Sequence, residues 1–184
     1  YKAGKVALNP PTLARNFISN LFQVNMSGIR VDRVPGVAYD GAKGLYTKDI
    51  DFRKFERYGG FKTNFSQSEL REVLAKYDKL KGSTTDNFFM GIADLTRYYG
   101  KIDDIYKLGL FKDALHNQGM SPADAAIFAH KWGMDYSLTS RSIKHIRRTV
   151  LPMSTYYYKI APLIAETLVK RPLNIAKWAA VPYI

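Results

Sequence analysis

Residues 87–116 read NFFMGIADLTRYYGKIDDIYKLGLFKDALH. Within this stretch Ile92, Leu95, Tyr99, Ile102, Tyr106 and Leu110 recur at spacings of three and four. That period places them on one face of a helix and predicts a single long helix from about Asn87 to His116. Gly82-Ser83-Thr84-Thr85-Asp86 precedes it as a turn and cap, and Gln118-Gly119 ends it. Gly91, Gly100 and Gly109 lie inside the pattern. Each weakens a helix by roughly 1 kcal/mol relative to alanine, so a kink or a close helix crossing is expected there.

The same period continues outward in both directions. Ser121-Pro122-Ala123-Asp124 restarts a helix, with serine as N-cap, proline at the first helical position and an acid in the first turn. This helix is expected to run to Trp132-Gly133. A further helix is predicted over Leu138–Leu151, interrupted by Pro152. The last two span roughly Met153–Lys170, with Pro162 inside, and Pro172–Ala180. Toward the N-terminus, Asn9-Pro10-Pro11-Thr12 opens a helix ending at Met26, with Leu13, Phe17, Leu21 and Val24 on one stripe. Ser27-Gly28 ends it. Residues 28–50 carry Gly28, Pro35, Gly36, Gly41 and Gly44 and read as a long loop, with a short extended piece at Ile29–Val31. Asp51–Tyr58 reads as a short helix stopped by Gly59-Gly60. Ser66 followed by Glu69 is a capping-box start for a helix to Leu80.

No stretch alternates with the period of a half-buried strand. The expected fold class is therefore all-α, an irregular multi-helix array without significant sheet. We read residues 1–184 as one helical module with a first helix at 9–26, the loop at 28–50, central helices at 51–140 and a basic, aromatic tail at 141–184. The chain starts at Tyr1 and stops at Ile184 without a polar tail, so it is expected to be a fragment of a much larger protein. The helices are also expected to leave an apolar strip uncovered, at the ends of the chain or along Met153–Ile184.

Composition narrows the functional classes. With 46% hydrophobic and 24% charged residues the chain is globular in character, not disordered. The net charge is +12, which suits nucleic acid, anionic lipid or an acidic protein surface. From Arg141 onward Arg141, Lys144, Arg147, Arg148, Lys159, Lys170, Arg171 and Lys177 are opposed only by Glu166. With no cysteine, disulfides, thiolate metal sites and cysteine nucleophiles are excluded. There is no secretory h-region at the start and no apolar run of transmembrane length.

Catalytic patterns are absent from the sequence. His116, His130 and His145 have no metal-ligand spacing. Asp103-Asp104 are adjacent and would diverge by about 100° on a helix, whereas Asp103 and Lys107 have the spacing of a surface ion pair. Gly41-Ala-Lys-Gly44 lacks the length and the Lys-Ser/Thr of a phosphate loop. No enzyme, cofactor, metal site or small-molecule substrate is expected in this segment.

Two binding modes remain open for the tail. Arg141, Lys144, Arg147 and Arg148 could meet a DNA backbone, with Tyr156, Tyr157 and Tyr158 as stacking platforms. Alternatively, the apolar stretch Thr149–Val169 lies between Arg147-Arg148 and Lys170-Arg171. Together with Tyr156, Tyr157, Tyr158, Lys159 and Trp178 it has the make-up of a membrane or assembly contact. A plain helical core with a basic rim is the simpler alternative to both. In the first helix Arg15, Asn16 and Asn20 are candidate polar packing contacts, with Asn16 and Asn20 on one face.

Several of these motifs, taken in order, resemble a family. Asn9-Pro10 through Ala14-Arg15-Asn16-Phe17-Ile18-Ser19-Asn20 is similar to the first helix of the large polyvalent and internal virion (ejection) proteins of tailed phages. Asp104-Ile-Tyr-Lys-Leu-Gly-Leu-Phe-Lys112 resembles their next helix, with Gly109 in place of an alanine. Gly119-Met-Ser-Pro-Ala-Asp-Ala125 followed by Asp135-Tyr136 resembles the element after it. Arg147-Arg148-Thr-Val-Leu-Pro152, Tyr158-Lys-Ile-Ala-Pro162 and Lys170-Arg171-Pro172 resemble the close. The resemblance implies a C-terminal helical module of a virion protein that is delivered with the genome and helps it cross the host cell envelope. Its implied partners are copies of itself or other virion proteins, with an anionic membrane surface and the DNA backbone as further candidates. Its implied location is the virion, then the host periplasm or inner membrane. A nucleic-acid-binding module delivered with the genome is the alternative.

Overall fold

The computed structural model describes residues 10–61, 86–134 and 154–179. Among them are seven α-helices and a short 3-10 turn, with no strand. We label the helices α1 (Pro10–Met26), α2 (Val34–Thr47), α3 (Ile50–Arg57), α4 (Asp86–His116), α5 (Pro122–Trp132), α6 (Ser154–Lys170) and α7 (Pro172–Ala179). The all-α expectation is correct. Helices expected at Ser66–Leu80 and Leu138–Leu151 lie outside the described residues.

The long periodic stretch forms α4, and α4 is the centre of the array. Tyr106, Lys107, Leu108, Gly109, Leu110 and Phe111 are buried in succession. A helix buried all round must be enclosed on several sides, and here α2 and α5 make the most extensive contacts with it, joined by α1 and α3. The core gathers Val24 and Met26 of α1, Val34 and Val37 of α2, Phe55 of α3, Leu108, Leu110, Phe111 and Ala114 of α4, Ala125, Ala126, Ala129 and Trp132 of α5, and Ile160 and Leu163 of α6. Phe55 anchors α3, stacking on Phe111 at 4.9 Å with the edge of Phe61 at 5.2 Å.

Residues 28–50 correct the sequence reading. They are not a loop: a 3-10 turn covers Val31–Arg33 and α2 covers Val34–Thr47, with Pro35 in its first turn. Two of the glycines read as loop signals, Gly41 and Gly44, instead form the surface on which α2 crosses α4. A Cβ on Gly41 would collide with the backbone carbonyl of Ile105, and one on Gly109 with the carbonyl of Val37. Glycine on both helices lets the two backbones approach closely, which outweighs its weak helix propensity. The crossing expected at Gly109 is thereby explained.

The caps follow local chemistry. Asp49 caps α3 by accepting the Phe52 amide at 2.9 Å. Ser121 caps α5 by accepting the Asp124 amide at 3.2 Å. Gly28, at φ 104°, takes the left-handed conformation that turns the chain out of α1.

Candidate contact surface of the tail helices

The C-terminal end of α1 is closed by the tail. A helix end leaves carbonyls without intrahelical partners, and α7 with the residue before it supplies donors. Arg171 Nη1 donates to the Met26 carbonyl at 3.1 Å, and Asn174 Nδ2 to the Asn25 carbonyl at 3.0 Å. A cation at a helix C-terminus is also favoured by the helix dipole. Asn25 is the hub of this junction. Its side-chain amide donates to the Ile29 carbonyl at 2.8 Å, while its side-chain oxygen accepts from Trp178 Nε1 at 2.9 Å. Asn25 is buried, and these bonds supply the partners that a buried amide requires. The Trp178 ring meets Phe22 edge-on at 5.4 Å. Tyr156 and Ser19 share a hydroxyl–hydroxyl bond at 3.2 Å.

The tail residues singled out from sequence therefore divide. Tyr156, Arg171 and Trp178 are partly buried and bonded to α1. Tyr157, Tyr158 and Lys170 are exposed, and Lys159 is half-buried. Lys170 pairs with Glu166 at 3.0 Å, and Glu166 also holds Lys131 of α5 at 2.6 Å. Hydrogen bonds from Lys131 and then Lys170 hold the Glu166 carboxyl below the usual range. Arg147 and Arg148 lie outside the described residues. Of the three polar candidates on α1, Asn20 donates from Nδ2 to Asp103 Oδ1 of α4 at 3.2 Å, a polar contact between packed helices. Arg15 and Asn16 fall within α1, and their side-chain contacts lie outside what is described.

Helical geometry turns this division into a surface. At 100° per residue, Tyr157, Tyr158, Ala161, Pro162, Ala165, Leu168 and Val169 fall on one side of α6, and all seven are exposed. None carries a charge. Val169 is 84% exposed and Leu173, at the start of α7, is 74% exposed. The charged residues Lys159, Glu166 and Lys170 run along the flank, and Ile160, Leu163 and Thr167 face the core. Pro162 sits on the outward side, so its ring does not disturb the packed face. Among the described residues no helix is long and apolar enough to cross a membrane.

A second polar cluster was not legible in the sequence. Where α2, α3 and α4 meet, Lys112 pairs with Asp49 at 2.6 Å, His116 Nε2 with Asp51 at 2.7 Å and Arg33 with Asp113 at 2.7 Å. Asn117 and Gln118 donate to Asp113 at 2.8 and 2.9 Å. The partners in the three ion pairs are more than sixty residues apart along the chain, so no local motif could reveal them. The three ion pairs tie the last turns of α4 to the turn before α2 and to the start of α3, as a polar clamp. Among the described residues no three histidine, cysteine or acidic side chains are grouped to hold a metal ion. No family model, curated protein or solved structure matches this chain.

Proposed function

We propose that this chain is a structural module of a phage ejection or internal virion protein, contributing to genome delivery through the host cell envelope by helix packing, oligomer assembly and membrane contact. The phage assignment rests on the ordered motifs in the sequence. The observation that carries the mode of action is the uncharged outward side of α6. An exposed stripe of Tyr157, Tyr158, Leu168 and Val169 is costly to leave in water and gains by burial against acyl chains. Tyrosine has an apolar body and a polar tip, which suits the bilayer boundary. Lys170 and Lys177 are exposed nearby, and a cation close to an anionic membrane gains about 1 kcal/mol. In this reading α6 lies along the surface, as an interfacial helix does, and does not cross it. The bonds to α1 fix the orientation: they hold the inward side of α6–α7 and leave the apolar side free. The module would reside in the virion and reach the periplasm or inner membrane on delivery.

Flotation with phosphatidylserine-containing vesicles tests this. The chain should float with the vesicles, and raising the salt should weaken association only modestly, because apolar insertion is not screened. Replacing Tyr157, Leu168 and Val169 together with glutamate should abolish flotation while leaving helix content intact. Flotation that survives this change, or that disappears altogether in moderate salt, would overturn the membrane contact.

A further inference from the structure

A separate face of the molecule, on α2 and α3, carries the charge that the outward side of α6 lacks. Between Tyr39 and Tyr58 the sequence is close to neutral: Lys43, Lys48, Arg53, Lys54 and Arg57 against Asp40, Asp49, Asp51 and Glu56. The fold sorts these charges. Asp49 and Asp51 turn toward α4, where they hold Lys112 and His116, and Asp51 also takes up Lys54. Lys43, Lys48, Arg53 and Arg57 are left exposed on the outside, with no ion pair among the described residues.

The two helices direct these cations to the same side. On α2 the residues against α4 are Val34, Val37, Gly41 and Gly44. At 100° per residue Tyr39, Lys43 and Tyr46 point the opposite way. On α3 the inward residues are Asp51 and Phe55, and Arg53 and Arg57 are turned away from them. Both stripes thus face away from α4, and Lys48 sits at the turn between them. Tyr39 is 67% exposed and Tyr46 is 92% exposed. Seven residues apart on a helix, they stand about 10 Å from one another with Lys43 between them. Asp40 and Glu56 are the exposed acids here, and each is rotated to the edge of its helix's stripe.

We propose that this α2–α3 face binds single-stranded nucleic acid, with Lys43, Lys48, Arg53 and Arg57 on backbone phosphates and Tyr39 and Tyr46 as stacking platforms for bases. Cations interleaved with free aromatic rings suit an unpaired strand, because every base offers a face to stack and the phosphates follow the groups between the rings. The composition distinguishes this face from the uncharged side of α6. It is independent of the membrane reading and stands or falls without it.

The test is fluorescence anisotropy of a labelled oligothymidylate with the 184-residue chain over a range of salt. The wild type should bind with a steep salt dependence, about 0.7 in logarithmic slope for each phosphate contacted. Exchanging Lys43, Lys48, Arg53 and Arg57 for glutamine should weaken binding tenfold or more and reduce the slope by about 3. Changing Tyr39 and Tyr46 to alanine should weaken binding about tenfold for each base stacked, with the slope unchanged. Leu168→Glu with Val169→Glu should leave oligonucleotide binding as it was. Glutamine variants that bind like the wild type would overturn the proposal, as would alanine variants without effect. If the four cations instead govern binding to phosphatidylserine vesicles and the oligonucleotide is not bound, the face belongs to lipid headgroups and the proposal fails.

Discussion

Tyr106 sits in the core against the edge of Phe17 at 6.1 Å, and its hydroxyl has no hydrogen-bond partner among the described residues. Burial pushes its pKa up to about 12, so it stays neutral at any working pH. A buried hydroxyl without a partner contributes desolvation cost and no bond. Tyr106→Phe should therefore be neutral or stabilise by up to about 1 kcal/mol in urea unfolding. A loss of more than that would mean the hydroxyl is satisfied. Asp103 presents the same problem in charged form. Burial pushes its carboxyl up, and the Lys107 charge and the Asn20 amide only partly offset this. The folded chain keeps this proton to higher pH than the unfolded chain. Stability should thus fall as pH rises from the ordinary carboxylate range through the raised value, then level off. Asp49 has the opposite sign. Burial pushes it up too, but hydrogen bonds from Lys112 and the Phe52 amide more than compensate, and its carboxyl ends below the usual range. Its contribution is present above the unfolded value and is lost as pH falls through the lowered one. Urea unfolding of the wild type and Asp103→Asn across pH should show the variant without the decline above the carboxylate range. Parallel profiles would refute this account.

At the level of elements, the α2–α4 crossing is the contact least tolerant of change. Gly41→Ala or Gly109→Ala forces a methyl against a backbone carbonyl that cannot rotate away. Such overpacking costs about 1–3 kcal/mol and sometimes more. Gly36, on the same helix, has open space where its Cβ would stand. Gly36→Ala should stabilise by about 0.4–1 kcal/mol, since it restricts the unfolded chain without strain. Thermal melts of the three variants should separate in this order, and a uniform response would show that the helices do not cross on these glycines. The same crossing explains why the segment was misread. Glycine is a loop signal by local propensity, and propensity is a weak prior when a tertiary contact demands a missing side chain. The helices legible from sequence were those whose apolar period and caps agreed: α1, α3, α4, α5, α6 and α7. Ser121 with Pro122 predicted α5, and the bond from Asp124 N–H to Ser121 Oγ is the interaction that signal implies.

For the whole molecule, the decisive contact is the closure of α1 by the tail. Trp178 joins residues more than one hundred and fifty positions apart through its bond to Asn25. Trp178→Phe should retain most of the packing on Phe22 but leave the buried Asn25 oxygen without its donor, costing about 1–3 kcal/mol. Trp178→Ala should cost about 3–5 kcal/mol through the cavity as well. Chemical denaturation with both variants measures the difference, and equal effects would assign the whole contribution to the ring.

Period, caps and composition act within a few residues of the chain, and they suffice for the helical class, most helix boundaries, the basic balance and the aromatic, cationic character of the tail. Of the candidate side chains on α1, Asn20 stands in a polar contact with Asp103 of α4. Which way each group faces came from packing between distant segments. It turned Arg171 and Trp178 inward to α1, left one side of α6 free of charge, and drew Asp49 and Asp51 toward α4 so that Lys43, Lys48, Arg53 and Arg57 stand alone outside. The reason is physical: charges neutral in sum along the chain become a patch only when partners from distant segments bind one sign and leave the other to solvent.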